Sequence, residues 1–203
     1  MISADTCYMD LSEIIYASTL LFFIFDPFAS LPIFISLTKN FSDDDKIKSA
    51  NRAVLVAGIL FVIFVLVGRE LLSFFGVTTS GFRIAGGLVL LLMSLEIIFG
   101  MNLTRINSEN VAWVIIATPI LTGPGVITTA IILTTNYGYI VPLIGGLFAL
   151  LVTWILLHNA VLITRIVGNN VIEIMSKIIG LLIAAIGIEY IMRGGYEFIS
   201  TLL

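Results

Sequence analysis

Between Glu109 and Arg165 lie 55 consecutive residues without one Asp, Glu, Lys or Arg. A water-soluble fold cannot carry so long an uncharged stretch, because much of its length must face solvent. The whole chain agrees: 59% of its 203 residues are hydrophobic and 11% charged, with mean hydropathy +1.14. An ordinary soluble domain has about 25% charged residues. The solvent of this chain is therefore lipid, and the reading is an all-α integral membrane protein. Helices are expected rather than barrel strands, because runs such as Leu55 to Val67 are continuously apolar instead of alternating.

A span needs about 20 residues, so the uncharged stretch must hold two, divided at Asn136-Tyr137-Gly138. The expected spans are 11–37, 53–75, 80–101, 111–135, 139–164 and 172–192, which makes six transmembrane helices in a single membrane domain, 1–203. The polar segment 38–52 is expected as a loop, with Ser42 capping a helix that starts at Asp43-Asp44-Asp45. Lys39, Lys46, Lys48, Arg52, Arg105, Arg165 and Lys177 then flank one face, and only Arg69, Arg83 and Arg193 the other. The basic-rich face is expected to be cytoplasmic, which puts both termini outside a multi-pass protein of the cell membrane.

Other classes recede on composition. The net charge is −3 and no basic run exists, so nucleic acid is not an expected partner. Cys7 is the single cysteine, which excludes a disulfide framework and a cysteine metal cage. The first ten residues carry Asp5 and Asp10 and no base, unlike a cleavable leader. No Gly-x-Ser-x-Gly, His-Glu-x-x-His or paired-aspartate motif lies in the spans, so no enzyme, metal or cofactor is expected. His158, the only histidine, is read as a packed residue rather than a ligand.

The strongest internal signal is a repeat. Pro27 and Pro32 in the first span are five apart, as are Pro119 and Pro124 in the fourth, at an offset of 92 that also pairs Ser30 with Thr122. Gly87 and Glu96 pair with Gly180 and Glu189 at an offset of 93. Each half, 11–101 and 111–199, then holds three spans, with a Pro-x4-Pro helix first and a glutamate-bearing helix last. An odd number of spans per half makes the second copy enter the membrane from the opposite side, giving two inverted three-helix repeats. Broken helices in inverted repeats mark secondary transporters that bind substrate near the midplane.

Proline removes a backbone donor and opens the preceding turn, and freed groups cannot face lipid. The half-helix after each break offers its positive end to a carboxylate. Asp26, Ala29 and Ser30 in the first segment, and Thr118, Thr122, Gly123 and Gly125 in the second, are the candidate substrate-binding residues. Neutral donors and small residues in this pattern suit a small zwitterion, its carboxylate on the helix ends and its ammonium on freed carbonyls.

At Asp26-Pro27 with Pro32-Ile33-Phe34, and at Thr118-Pro119 with Gly123-Pro124-Gly125, the chain resembles the MarC-related family of six-span membrane proteins. The likeness covers nearly the whole chain, including Ala85-Gly86-Gly87. It departs at Ala29-Ser30, where the family commonly has Gly-Asn. The resemblance implies transport of glycine, alanine or similar neutral amino acids, inward or outward, coupled to protons. Na+ coupling and a homo-oligomer stay open.

Three intramembrane acids are candidates for proton coupling: Asp26, Glu96 and Glu189. Asp26 is also read as a cap on the second half-helix. Glu96 and Glu189 are expected to face the protein interior, since carboxylates are expensive in lipid. Arg193 lies one turn from Glu189 and is expected to pair with it, whereas no Lys or Arg lies within four residues of Glu96. The competing reading is an aquaporin-like channel, which also has six spans in inverted repeats. That class carries Asn-Pro-Ala at both half-helices, where this chain has Asp-Pro-Phe and Thr-Pro-Ile.

Overall fold

The computed structural model describes residues 11–38, 40–100 and 123–202, and its regular elements are all helices. In chain order they are α1 (Leu11–Phe25), α2 (Pro27–Leu37), α3 (Asp43–Phe74), α4 (Thr79–Phe99), α5 (Pro124–Tyr137), α6 (Ile140–His158), α7 (Ala160–Val167) and α8 (Asn169–Leu202). Five described segments are long and apolar enough to cross a membrane: Leu11–Ile35, Asp43–Phe74, Thr79–Phe99, Ile140–His158 and Asn169–Ser200. Of the fourth expected span, 111–135, only the second half is described, as α5. Cys7 and the segment 102–110 with Arg105 and Glu109 lie outside the described residues.

Several boundaries differ from the sequence reading, each for a local reason. The loop expected over 38–52 is largely helix: Ser42 accepts a hydrogen bond from the Asp45 amide at 3.2 Å, and three aspartates in the first turn suit the helix dipole. At 32 residues α3 is about 48 Å long, so it outreaches a hydrocarbon core of about 30 Å. The expected fifth span, 139–164, ends at His158, where Asn159 turns the chain into the short α7. The Asn159 side-chain amide donates to the Ile155 carbonyl at 2.8 Å.

Lipid-facing and protein-facing surfaces separate by helical period. On α3, Leu55, Ile59, Ile63 and Leu66 are exposed, while Ala57, Phe61, Val65 and Gly68 are buried. Helix α5 has no exposed face over 125–134, where all residues but Ile127 are buried, and it packs among α1, α3, α4 and α6. A helix buried on all sides is the centre of the bundle.

The closest pair is α4 with α8, which run antiparallel. Gly194 faces Ser80 and Ile84, Gly187 faces Gly87 and Leu90, and Gly180 faces Ile97 and Ile98. A Cβ on Gly87 would lie 2.5 Å from the Gly187 carbonyl oxygen, so the two backbones touch only because both residues lack side chains. The same Cβ would lie 2.8 Å from Ile191 Cγ1, and one on Gly180 would lie 3.1 Å from Ile98 Cγ1.

Basic residues sort to the two ends of the bundle. Lys46, Lys48, Arg52, Arg165 and Lys177 lie where α3 and α8 begin and α4 and α6 finish. Arg69, Arg83 and Arg193 lie at the other end, where α1 and α4 begin and α5 and α8 finish. Two contacts fix that second end: the rings of Tyr16 and Tyr137 lie 6.2 Å apart, and Arg83 Nη2 donates to Asn136 Oδ1 at 2.9 Å.

Candidate functional site

The first proline segment is broken at one residue. Asp26 separates α1 from α2 with φ 39° and ψ 67°, and it is the one non-glycine residue of positive φ among the described residues. Aspartate tolerates this left-handed conformation better than most side chains, and strain of this kind gathers at functional sites. Pro27 then occupies the first turn of α2, where a missing amide proton costs nothing. The break is narrower than the Pro-x4-Pro spacing implies. Pro32 lies inside α2 and is exposed, so the second proline of the segment does not end the helix.

Asp26 caps α2, as one of the two readings of this residue expects: Oδ1 accepts from the Ala29 amide at 3.2 Å. The side chain is buried, with the residue 5% exposed, and Oδ2 has no hydrogen-bond partner among the described residues. An unpaired carboxylate oxygen in a membrane interior is costly unless a proton, a cation or an ammonium meets it. The Ala29 amide is thus engaged by Asp26, and the Ser30 hydroxyl donates to the Asp26 carbonyl at 3.0 Å. Expected as ligand donors, both are spent within the cap.

The second segment is seen from Gly123 onward, so Thr118, Pro119 and Thr122 lie outside the described residues. Gly123 is the N-cap of α5 in an extended conformation, Pro124 follows at the first position, and no side chain caps the helix. Gly125, a candidate for close backbone approach to a small ligand, is packed against side chains. A Cβ there would lie 2.7 Å from Leu90 Cδ2, 3.2 Å from Met93 Sδ and 3.6 Å from Ile24 Cγ2. Its smallness serves close approach of α5 to α4 and α1, and it sets the start of α5 beside Ile24, two residues before Asp26. The two breaks therefore share one region of the bundle.

Met93 was not singled out from sequence. Its Cε would lie 3.2 Å from a Cβ on Gly123, so it covers the start of α5 from the α4 side. A methionine in an apolar helix carries no periodic signal that separates such a lid from ordinary core.

The other two acids lie on other helices, Glu96 on α4 and Glu189 on α8. Glu96 is half-buried in the last turn of α4. Glu189 pairs with Arg193 at 2.6 Å as expected, but its side chain is 53% exposed, which corrects the expectation that it faces a closed interior. It lines a cavity together with Arg193. His158 is exposed, with its ring 5.2 Å from that of Trp154. Among the described residues no three His, Cys, Asp or Glu side chains gather into a metal-binding group.

An all-helical bundle with several apolar crossings, lipid-facing stripes and a buried acid at a helix break defines a multi-pass integral membrane protein. Residues 11–199 match the description "MarC family integral membrane protein", and the chain belongs to that family. A UPF0056 membrane protein of Archaeoglobus fulgidus is 35% identical over 190 residues, covering 87% of this chain and 89% of its own length. Another, from Methanocaldococcus jannaschii, is 31% identical over 199 residues, covering 92% and 97%. The UPF0056 membrane protein YhcE of Escherichia coli K12 is 31% identical over 189 residues, covering 86% and 87%. No solved structure matches the chain.

Proposed function

We propose that this protein is a secondary active transporter of small neutral amino acids of the glycine and alanine class, coupled to protons. The observation that carries the reading is the pairing of two unlike helix breaks in one region. Asp26 presents a buried carboxylate oxygen with no partner among the described residues, and α5 starts nearby without a side-chain cap. A zwitterion answers both: its carboxylate lies at the positive end of α5, and its ammonium, or a proton, meets Asp26 Oδ2. Thr118 and Thr122 precede Gly123 in sequence and supply neutral donors there.

The inverted repeat supports the same reading. Gly87 against Ile191 and Gly180 against Ile98 are the same contact under an offset of 93, as a two-fold axis in the membrane plane requires. Six spans, the fourth expected over 111–135, and a cytoplasmic basic-rich end in the cell membrane belong to the same proposal.

The test is uptake of labelled glycine into proteoliposomes with and without an imposed pH gradient. Saturable uptake that accumulates only with the gradient is expected. Flux that rises linearly with glycine and ignores the gradient overturns the reading in favour of a passive channel. A response to a Na+ gradient alone replaces the coupling ion and keeps the rest.

A further inference from the structure

A cavity of about 210 Å³ opens at the end of the bundle where α1 and α4 begin. Its polar lining includes Tyr16 of α1, Arg83 of α4, Asn136 of α5, and Glu189, Tyr190 and Arg193 of α8. Its apolar floor includes Ile132 and Leu133 of α5. Those floor residues lie about eight positions, or roughly 12 Å, along α5 from its start beside the Asp26 break. The cavity thus stands between the break and the bundle end.

Its charges are arranged on different walls. Arg83 is 5% exposed, and its guanidinium binds Glu197 through Nη1 and Asn136 through Nη2. Nε has no partner among the described residues. A buried guanidinium has five N–H donors to satisfy, and here one acid and one neutral amide meet two of its nitrogens. The α8 wall carries Glu189, half-exposed beside Arg193. Tyr16, also open to the cavity, adds a hydroxyl between apolar surfaces.

We propose that this cavity is a second amino-acid site, a vestibule that holds the zwitterion on its way to or from the break. The carboxylate takes the place of Glu197 at Arg83 Nη1, and the ammonium takes the place of Arg193 at Glu189. The small volume and apolar floor admit glycine, alanine and side chains of similar size. The inference rests on the amino-acid reading above, and its site shares no candidate substrate-binding residue with the break.

The experiment is equilibrium binding of labelled glycine to the full chain in lipid nanodiscs, read as glycines bound per chain. Wild type is expected to bind two. Gly123→Val, which obstructs the start of α5, leaves one, and adding Glu189→Gln to it weakens that remaining site at least tenfold. Arg83→Lys keeps the charge but loses the fork, and on the Gly123→Val background it has the same effect. Glu189→Gln serves as the folding-safe arm, because an exposed pair one turn apart contributes little to stability. One glycine per wild-type chain, abolished by Gly123→Val, overturns the vestibule and leaves the transporter reading standing. A remaining site indifferent to Glu189→Gln overturns it too. No binding of glycine, alanine or serine by wild type removes both readings.

Discussion

The two proline segments look alike in sequence and differ in what they present. At the first, Asp26 bends the chain in a left-handed conformation and places its own carboxylate over the start of α2. At the second, an extended Gly123 leads into Pro124, and among the described residues no side chain hydrogen-bonds to the start of α5, which Met93 borders. The first break has its dipole answered from within, with one carboxylate oxygen left over. The second keeps its positive end for something else. The two described helix starts thus differ in both backbone shape and charge, which suits recognition of a molecule with two opposite ends.

Gly125→Val tests the second break hardest. Its Cβ region is closed by Leu90, Met93 and Ile24, so the added methyl groups force α5 from α4. Glycine binding should disappear and stability fall by about 1–3 kcal/mol, read by calorimetry and thermal unfolding. A variant that binds like wild type would show that α5 has slack at its start and forms no site.

Next in size is the charge of the first break. Asp26→Asn keeps the left-handed tolerance and the cap but removes the carboxylate. Exchange of glycine between equal pools should persist, while gradient-driven accumulation falls more than tenfold in proteoliposomes. Accumulation that survives makes Asp26 a cap alone and moves coupling to another acid.

The paired hydroxyls then separate. Thr122→Val should weaken glycine binding about tenfold, the 1.4 kcal/mol of one lost hydrogen bond. Ser30→Ala should change it less than twofold, because that hydroxyl already donates to the Asp26 carbonyl. Equal effects of the two, measured side by side by calorimetry, would mean that the breaks are equivalent after all.

A topological check reads the frame in which these breaks sit. Cysteine placed at Asp44 should be labelled only from the cytoplasmic side, and Cys7 only from outside. Labelling of both from one face breaks the inverted arrangement.

Much of this was legible from residue type. The uncharged 55 residues required lipid, the three aspartates after Ser42 marked a helix start, and Glu189 with Arg193 one turn on formed the pair their spacing allows. Each depends on composition or on neighbours within a turn, which a helix fixes locally. Proline spacing alone did not say that Pro32 would remain helical, because a helix with a lost hydrogen bond survives or breaks according to what surrounds it. Gly125 read as a point of close backbone approach, and Leu90 and Met93 are what approach it among the described residues, since a glycine records only that something comes close. Arg83 read as one flanking charge among three and became a buried link from α4 to α5 and α8. Sequence determined that this chain lives in lipid, that most of it is helical and that the first span breaks at Asp26. Packing of helices distant in the chain decided which polar atoms were left without partners, because a partner across a bundle has no fixed separation in sequence.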